Sequence, residues 1–231
     1  MSHFFYSLIL VCIVLIPGEL HSQDTFTELD KVYGLDQTLY NGKKYTYVIL
    51  YTTTGHQYLI TPQFTFGSVT IRGTRFENIF LNYDIFNQQL LMRYLDPTGA
   101  AITLEVSKAW LQGFTISNKN FEYLHVEQKP AIYQVLGKEP LRILYFWRKV
   151  LDLETVVGTA NYVFKNPIRE SFVLVDGKLL TFNSKGSFIR LFGPENKVEI
   201  KSYMRKNKIK IRRSSDQAME EMINYIATIR K

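Results

Sequence analysis

Along most of the chain, apolar and polar residues alternate in short runs separated by turn-forming residues. Tyr45, Tyr47, Ile49 and Tyr51 share one parity, with Thr46, Val48 and Leu50 on the other, and Ile79, Leu81, Tyr83 and Ile85 repeat the pattern. Successive strand side chains point to opposite faces, so aromatic and β-branched residues at period two predict strands with a buried face. Turn signals at Tyr40-Asn41-Gly42-Lys43, Gly55-His56, Gly73, Asn87-Gln88, Asp96-Pro97-Thr98-Gly99, Asn118-Lys119-Asn120, Pro130, Gly137 and Pro140 divide the runs. They leave strand candidates at 44–51, 57–60, 68–71, 75–86, 90–94, 102–106, 110–116, 121–126, 132–136 and 141–150, with 151–157 ambiguous. The clearest hairpin joins 171–175 to 178–182 through Asp176-Gly177, a pair suited to the positive φ angles of a two-residue turn.

After Ser184 the period changes. Phe188, Leu191 and Phe192 fall on one helical face and Gly193-Pro194 ends that turn. Pro194 and Glu195 suit the start of a second helix, with Val198, Ile200, Tyr203 and Met204 as its apolar positions. Ser214-Ser215-Asp216-Gln217 resembles a capping box that opens a last helix, Asp216 to Ile229, with Met219, Met222, Ile223, Ile226 and Ile229 in one stripe. A helix of that length is marginal alone in water, so its stripe is expected to dock on apolar surface. The expected fold is α+β: a mainly antiparallel β body (sandwich or half-barrel) over 23–183, and a C-terminal helical element over 184–231 packed on the same domain. No linker rich in Ser, Gly or Pro separates the two.

The first residues behave differently. Leu8 to Ile16 form an unbroken apolar run stopped by Pro17-Gly18, too short for a membrane-spanning helix and of the length of a signal-peptide core. Residues 1–22 therefore read as a secretion signal, cleaved after the small Ser22 to leave Gln23 at the start of the mature chain. The one cysteine, Cys12, lies inside that run. The mature chain thus has neither a disulfide nor a thiol nucleophile, and about two hundred residues can bury a core large enough without one.

Net charge is +7, and loss of the signal removes Glu19 but no Lys or Arg, raising it to +8. Nearly all of the excess sits in one stretch. Lys197, Lys201, Arg205, Lys206, Lys208, Lys210, Arg212 and Arg213 are opposed there by Glu199 alone. Lys197, Lys201 and Arg205 recur at i, i+4 on one helix face. Lys208, Lys210 and Arg212 alternate with Ile209 and Ile211, as in a short extended piece. This stripe is the candidate anion-binding site, for an anionic lipid headgroup, an acidic glycan or an acidic protein. Export argues against nucleic acid.

Catalytic chemistry finds little support. The mature chain has two histidines, His56 and His125, sixty-nine positions apart, and neither is near a nucleophile motif or a metal-ligand pair. No phosphate-binding or dinucleotide-binding glycine motif occurs, and no cofactor is expected. Asp84, Glu105, Asp152 and Glu154 are the carboxylates nearest apolar runs. A glycosidase would need two such groups about 5–10 Å apart, whereas Asp84, Asp152 and Glu154 read most simply as the solvent side of alternating segments. The aromatic content, 14%, suits packing on pleated surfaces better than a sugar- or base-stacking platform.

Two stretches carry a resemblance. One is Gly67 to Gly73 with Phe76 to Phe86 and Gln89 to Met92. The other is Phe188 to Phe192, Lys197 to Tyr203, Lys208 to Ile211 and the terminal amphipathic helix. Together they resemble small exported proteins of unassigned function found in Bacteroidota, which implies an envelope or secreted location in a Gram-negative cell. The expected function is a non-enzymatic binding or accessory role in the periplasm or at the outer membrane, with no transmembrane span in the mature chain. Two alternatives stand beside it: an envelope-glycan hydrolase using carboxylates assembled by the fold, and a carrier of a hydrophobic ligand or lipid held inside a curled sheet.

Overall fold

The structure, a computed structural model, describes residues 35–46, 52–126, 129–156 and 159–230. The signal segment 1–22, the start at Gln23 and part of the strand expected over 44–51 lie outside the described residues. The described residues belong to one compact unit, 35–231.

Period-two segments become strands wherever one face finds cover. In chain order these are β1 (Gly42–Lys44), β2 (Thr53–Thr54), β3 (Thr65–Ile71), β4 (Thr74–Asp84), β5 (Gln89–Leu95), β6 (Ala101–Val106), β7 (Leu111–Ile116) and β8 (Lys119–Val126). They continue with β9 (Lys129–Lys138), β10 (Leu141–Arg148), β11 (Leu151–Val156), β12 (Thr159–Phe164), β13 (Ile168–Val175) and β14 (Lys178–Thr181). Eleven of them form one antiparallel sheet in the order β1-β6-β5-β4-β3-β7-β8-β9-β10-β13-β14. That order is open at both ends, so the β body is a long sheet and not a closed barrel. From β3 the chain runs outward through β4, β5 and β6, and β7 then returns to the other side of β3. The ambiguous 151–157 stretch supplies β11, which pairs with β12, and β12 pairs in parallel with β2 in a small second sheet.

Tight turns explain the hairpin register. Asp176 and Gly177 have φ of 49° and 74°, and Val175 faces Lys178 across them, as the Asp-Gly pair predicts. Arg72-Gly73 and Ser117-Asn118 form the same two-residue turn, so the second lies one residue earlier than the Asn118-Lys119-Asn120 signal, and Lys119 and Asn120 begin β8. Near the start, the turn occupies residues 37–40, closed by the Asp36 carboxylate accepting the Thr38 and Leu39 N–H groups, while Gly42 and Lys43 belong to β1. Residues 57–60 are irregular, held by a single bridge between Tyr58 and Asp84.

Three helices follow β14: α1 (Lys185–Arg190), α2 (Lys197–Lys206) and α3 (Asp216–Ile229). Ser184 and Ser187 form a reciprocal capping box on α1. At α3 the cap is Ser215 alone, accepting from the Ala218 N–H. Helix α3 lies across β9 and β10. Its Met219, Met222, Ile223 and Ile226 are buried with Leu136, Leu141, Ile143, Tyr145 and Val173 of the sheet, so the stripe docks as expected. Ile200 and Met204 of α2 join the same cluster. Val198 does not: it is 76% exposed, although the helical pattern had placed it on the apolar face. Away from the helices, the stacked Phe114 and Phe121 rings meet Tyr83 edge-on at 5.5 and 5.4 Å, which assigns these aromatics to packing.

Candidate anion-binding groove

The end of α2 decides where the basic residues go. Lys208 takes a left-handed conformation, φ 53°, one residue beyond the Asn207 cap. Its N–H donates to the Arg205 carbonyl and the Ile209 N–H to the Met204 carbonyl, a Schellman pair that turns the chain sharply off the helix axis. Ile209 comes to rest beside Met204, the apolar contact that accompanies this cap. A second turn follows, in which Lys210 O accepts from Arg213 and Ser214 N–H groups and Ser214 Oγ accepts from Lys210 N–H. The segment is therefore a pair of turns and not the extended piece read from the alternation. The burial still alternates: Ile209 and Ile211 are buried, and Lys208, Lys210 and Arg212 are exposed.

Between these turns and the start of α1 lies an open groove of about 610 Å³. Ser184 and Lys185 form one wall, Met204 and Arg205 the other, and residues 208–212 complete the lining. Arg212 Nε donates to the Asn183 carbonyl at 2.9 Å and ties the two sides together. Arg169, its guanidinium 4.2 Å from the Tyr145 ring centroid, reaches the Ile211 carbonyl from behind at 3.5 Å.

Of the eight stripe residues, Arg205, Lys208, Lys210 and Arg212 meet at this groove, while Lys197, Lys201, Lys206 and Arg213 are exposed outside its lining. Lys185 joins the groove and was missed in the sequence, where it stands twelve positions before Lys197. A lone Lys after a strand gives no signal, because the fold alone brings α1 against the end of α2. Among the described residues that line the groove none is acidic. Among the described residues none of these nine cations forms a salt bridge. Free of ion pairs, such a set projects a positive field screened over about 8 Å at physiological salt.

The carboxylates occupy separate environments. Asp84 is fully buried, not on the solvent side where the alternation put it. At the end of β4 the 57–60 segment pairs alongside the strand, with Leu59 N–H donating to the Tyr83 carbonyl and Ile85 N–H to the Gln57 carbonyl, and the Tyr45 hydroxyl reaches the carboxylate itself. Asp84 accepts from Tyr45 Oη at 2.8 Å, Asn87 Nδ2 at 2.8 Å, Phe86 N–H at 3.0 Å and Asn87 N–H at 2.8 Å. Four donors fill a carboxylate's acceptor sites, so this group closes the 85–88 turn and has no lone pair left for a substrate proton. Burial, more than the Asp84 charge, pushes the Tyr45 phenol well above its ordinary value. Nearby, Lys149 Nζ donates to the His56 carbonyl at 2.6 Å and lies 3.3 Å from His56 Nδ1. Burial lowers the pKa of both, with the Lys149 charge adding to the effect on His56 and Asp84 partly opposing it on Lys149. Elsewhere, Glu105 pairs with Lys43 at 3.7 Å, and Asp152 and Glu154 share Lys165 on exposed surface. His125 is exposed beside Tyr123. Among the described residues no three His, Asp or Glu side chains converge as a metal site, and no helix is long and apolar enough to cross a membrane.

Comparison with known proteins returns no matching family model, no matching curated protein and no matching solved structure.

Proposed function

We propose that this chain is a non-enzymatic binding or accessory module of the cell envelope, exported to the periplasm or outer membrane, that holds an anionic partner in its basic groove. One observation carries the reading: Lys185, Arg205, Lys208, Lys210 and Arg212 line a single groove with no acid among its described lining residues. Like charges gathered without a counter-ion repel one another, and an anion that enters relieves that repulsion while gaining five favourable contacts. Export rests on the 1–22 segment, and intact mass of protein recovered from the producing cell tests it: the reading requires a chain beginning at Gln23.

Binding is tested with two variants of equal net charge. One changes Arg205, Lys208, Lys210 and Arg212 to Gln; the other changes Lys197, Lys201, Lys206 and Arg213 to Gln. Retention on immobilised sulfated glycan and on anionic vesicles is measured against salt. The groove variant should lose most of the affinity and most of the salt dependence, and the second variant much less. Equal losses would mean that net charge acts without a site, and no loss in either would remove the reading.

A further inference from the structure

Net charge explains attraction to any polyanion, but the groove has a second property. Its floor is aliphatic: Met204, Ile209 and Ile211 lie between the cations, and no aromatic ring is among its nine lining residues. Sugars and bases are held on ring faces, and this groove presents none. Aliphatic methyl and thioether groups fit an alkyl chain, while Lys and Arg at the rim fit a phosphate. The geometry points to a phosphate-bearing membrane lipid as the occupant, its headgroup held by Lys185, Arg205, Lys208, Lys210 and Arg212 and the first part of its chain lying along Met204, Ile209 and Ile211. This inference rests on the anion-binding reading and narrows it to one ligand class.

The surroundings favour a lipid in a bilayer over a single free amphiphile. Lys197, Lys201 and Arg205 form an i, i+4 row along α2 that leads into the groove at Arg205. Beside Lys197 and Lys201 stands Val198, 76% exposed and without a packing role in the protein. A free ligand in the groove would leave this row and Val198 unused. An anionic bilayer surface engages the row through neighbouring headgroups and gives Val198 an apolar boundary to enter. A groove of about 610 Å³ is also within the range that small ligands occupy, about 300–1,000 Å³.

Two measurements on the full mature chain test this. In the first, binding of inorganic phosphate, butyl phosphate and octyl phosphate is followed by calorimetry below their micelle concentrations. Affinity should rise with chain length, by about fourfold for each methylene that the floor covers. Equal affinity for all three overturns the inference, and if sulfated glycan still binds, the anion reading survives that failure. In the second, the protein is sedimented with vesicles of phosphatidylcholine alone or with three parts in ten phosphatidylglycerol. It should pellet only with the mixed vesicles, and changing Arg205, Lys208, Lys210 and Arg212 to Gln should weaken this about a thousandfold. Val198→Ser, which alters an exposed side chain and leaves the fold intact, should weaken it severalfold without affecting retention on sulfated glycan. A protein that stays in the supernatant with both vesicle types overturns the membrane source of the lipid. Failure on vesicles, alkyl phosphates and glycan together removes the broader reading as well.

Discussion

Replacing Gly137 by alanine should destabilise the fold through one close contact. Gly137 sits in β9 with φ 85°, and a Cβ built there would lie 2.6 Å from Ile223 Cγ2 on α3 and 3.3 Å from the Leu141 carbonyl oxygen. Ile223 is fully buried, and its Cγ2 methyl is attached to the β-carbon, so no rotation of a flexible tail relieves the overlap. Two costs combine. An alanine at this φ costs about 1–2 kcal/mol of backbone strain. Pushing α3 off the sheet costs about 1–3 kcal/mol more, as overpacked cores do. Against them stands a gain of about 0.4–1 kcal/mol from a stiffer unfolded chain. The net expectation is about 2–4 kcal/mol, a large share of the stability of an ordinary domain. Urea unfolding followed by circular dichroism measures it, as a lower midpoint at unchanged slope. A double-mutant cycle separates the two costs. In an Ile223→Ala background the clash is gone, so Gly137→Ala should then cost only the strain less the gain from the stiffer unfolded chain, about 0–1.5 kcal/mol, with a coupling of about 1 kcal/mol or more. A cost below about 1 kcal/mol in the native background, or the same cost in both, would refute the reasoning that α3 is seated against a missing side chain.

Asp84→Asn should lower the urea midpoint by an amount equivalent to about 2–4 kcal/mol, because an amide keeps only one acceptor oxygen, so either the Tyr45 Oη and Asn87 Nδ2 pair on one carboxylate oxygen or the Phe86 and Asn87 N–H pair on the other meets an NH2 group in a covered site; an unchanged midpoint would place the carboxylate in solvent. His56 has a folded pKa lowered first by burial and then by Lys149. The unfolded chain therefore binds the proton more readily, and the stability His56 contributes is present above the ordinary histidine value of about 6.5 and is lost as pH falls through the lowered folded value. Unfolding free energies from pH 7.5 to 5 should fall more steeply for the natural chain than for His56→Gln, and parallel curves would contradict the burial assigned to the ring.

What the sequence determined by itself was local. The parity of Ile79, Leu81, Tyr83 and Ile85 follows from the two-residue strand repeat, and all four are buried. Asp176-Gly177 sets its own hairpin because its φ preferences act within four residues. The Met219, Met222, Ile223 and Ile226 stripe needs only the helical period to be seen, and such a stripe must find cover. Tertiary structure decided whatever depends on which distant segment arrives to cover a face. Alternation gave Asp84 a polar side, but the Tyr45 hydroxyl caps the carboxylate and the 57–60 segment pairs beside the strand end, leaving Asp84 buried, and nothing near Asp84 in sequence announces them. Val198 fits the helical stripe of α2, yet α2 turns only Ile200 and Met204 into the core, so the valine is left facing water. The basic stripe was visible as composition, but its division was not. A Schellman turn at Lys208 and the packing of α1 beside α2 select Arg205, Lys208, Lys210 and Arg212, recruit Lys185, and leave the other four cations outside. Pattern along a chain records what one element requires, whereas a groove is made by two elements meeting, and their meeting is a property of the whole fold.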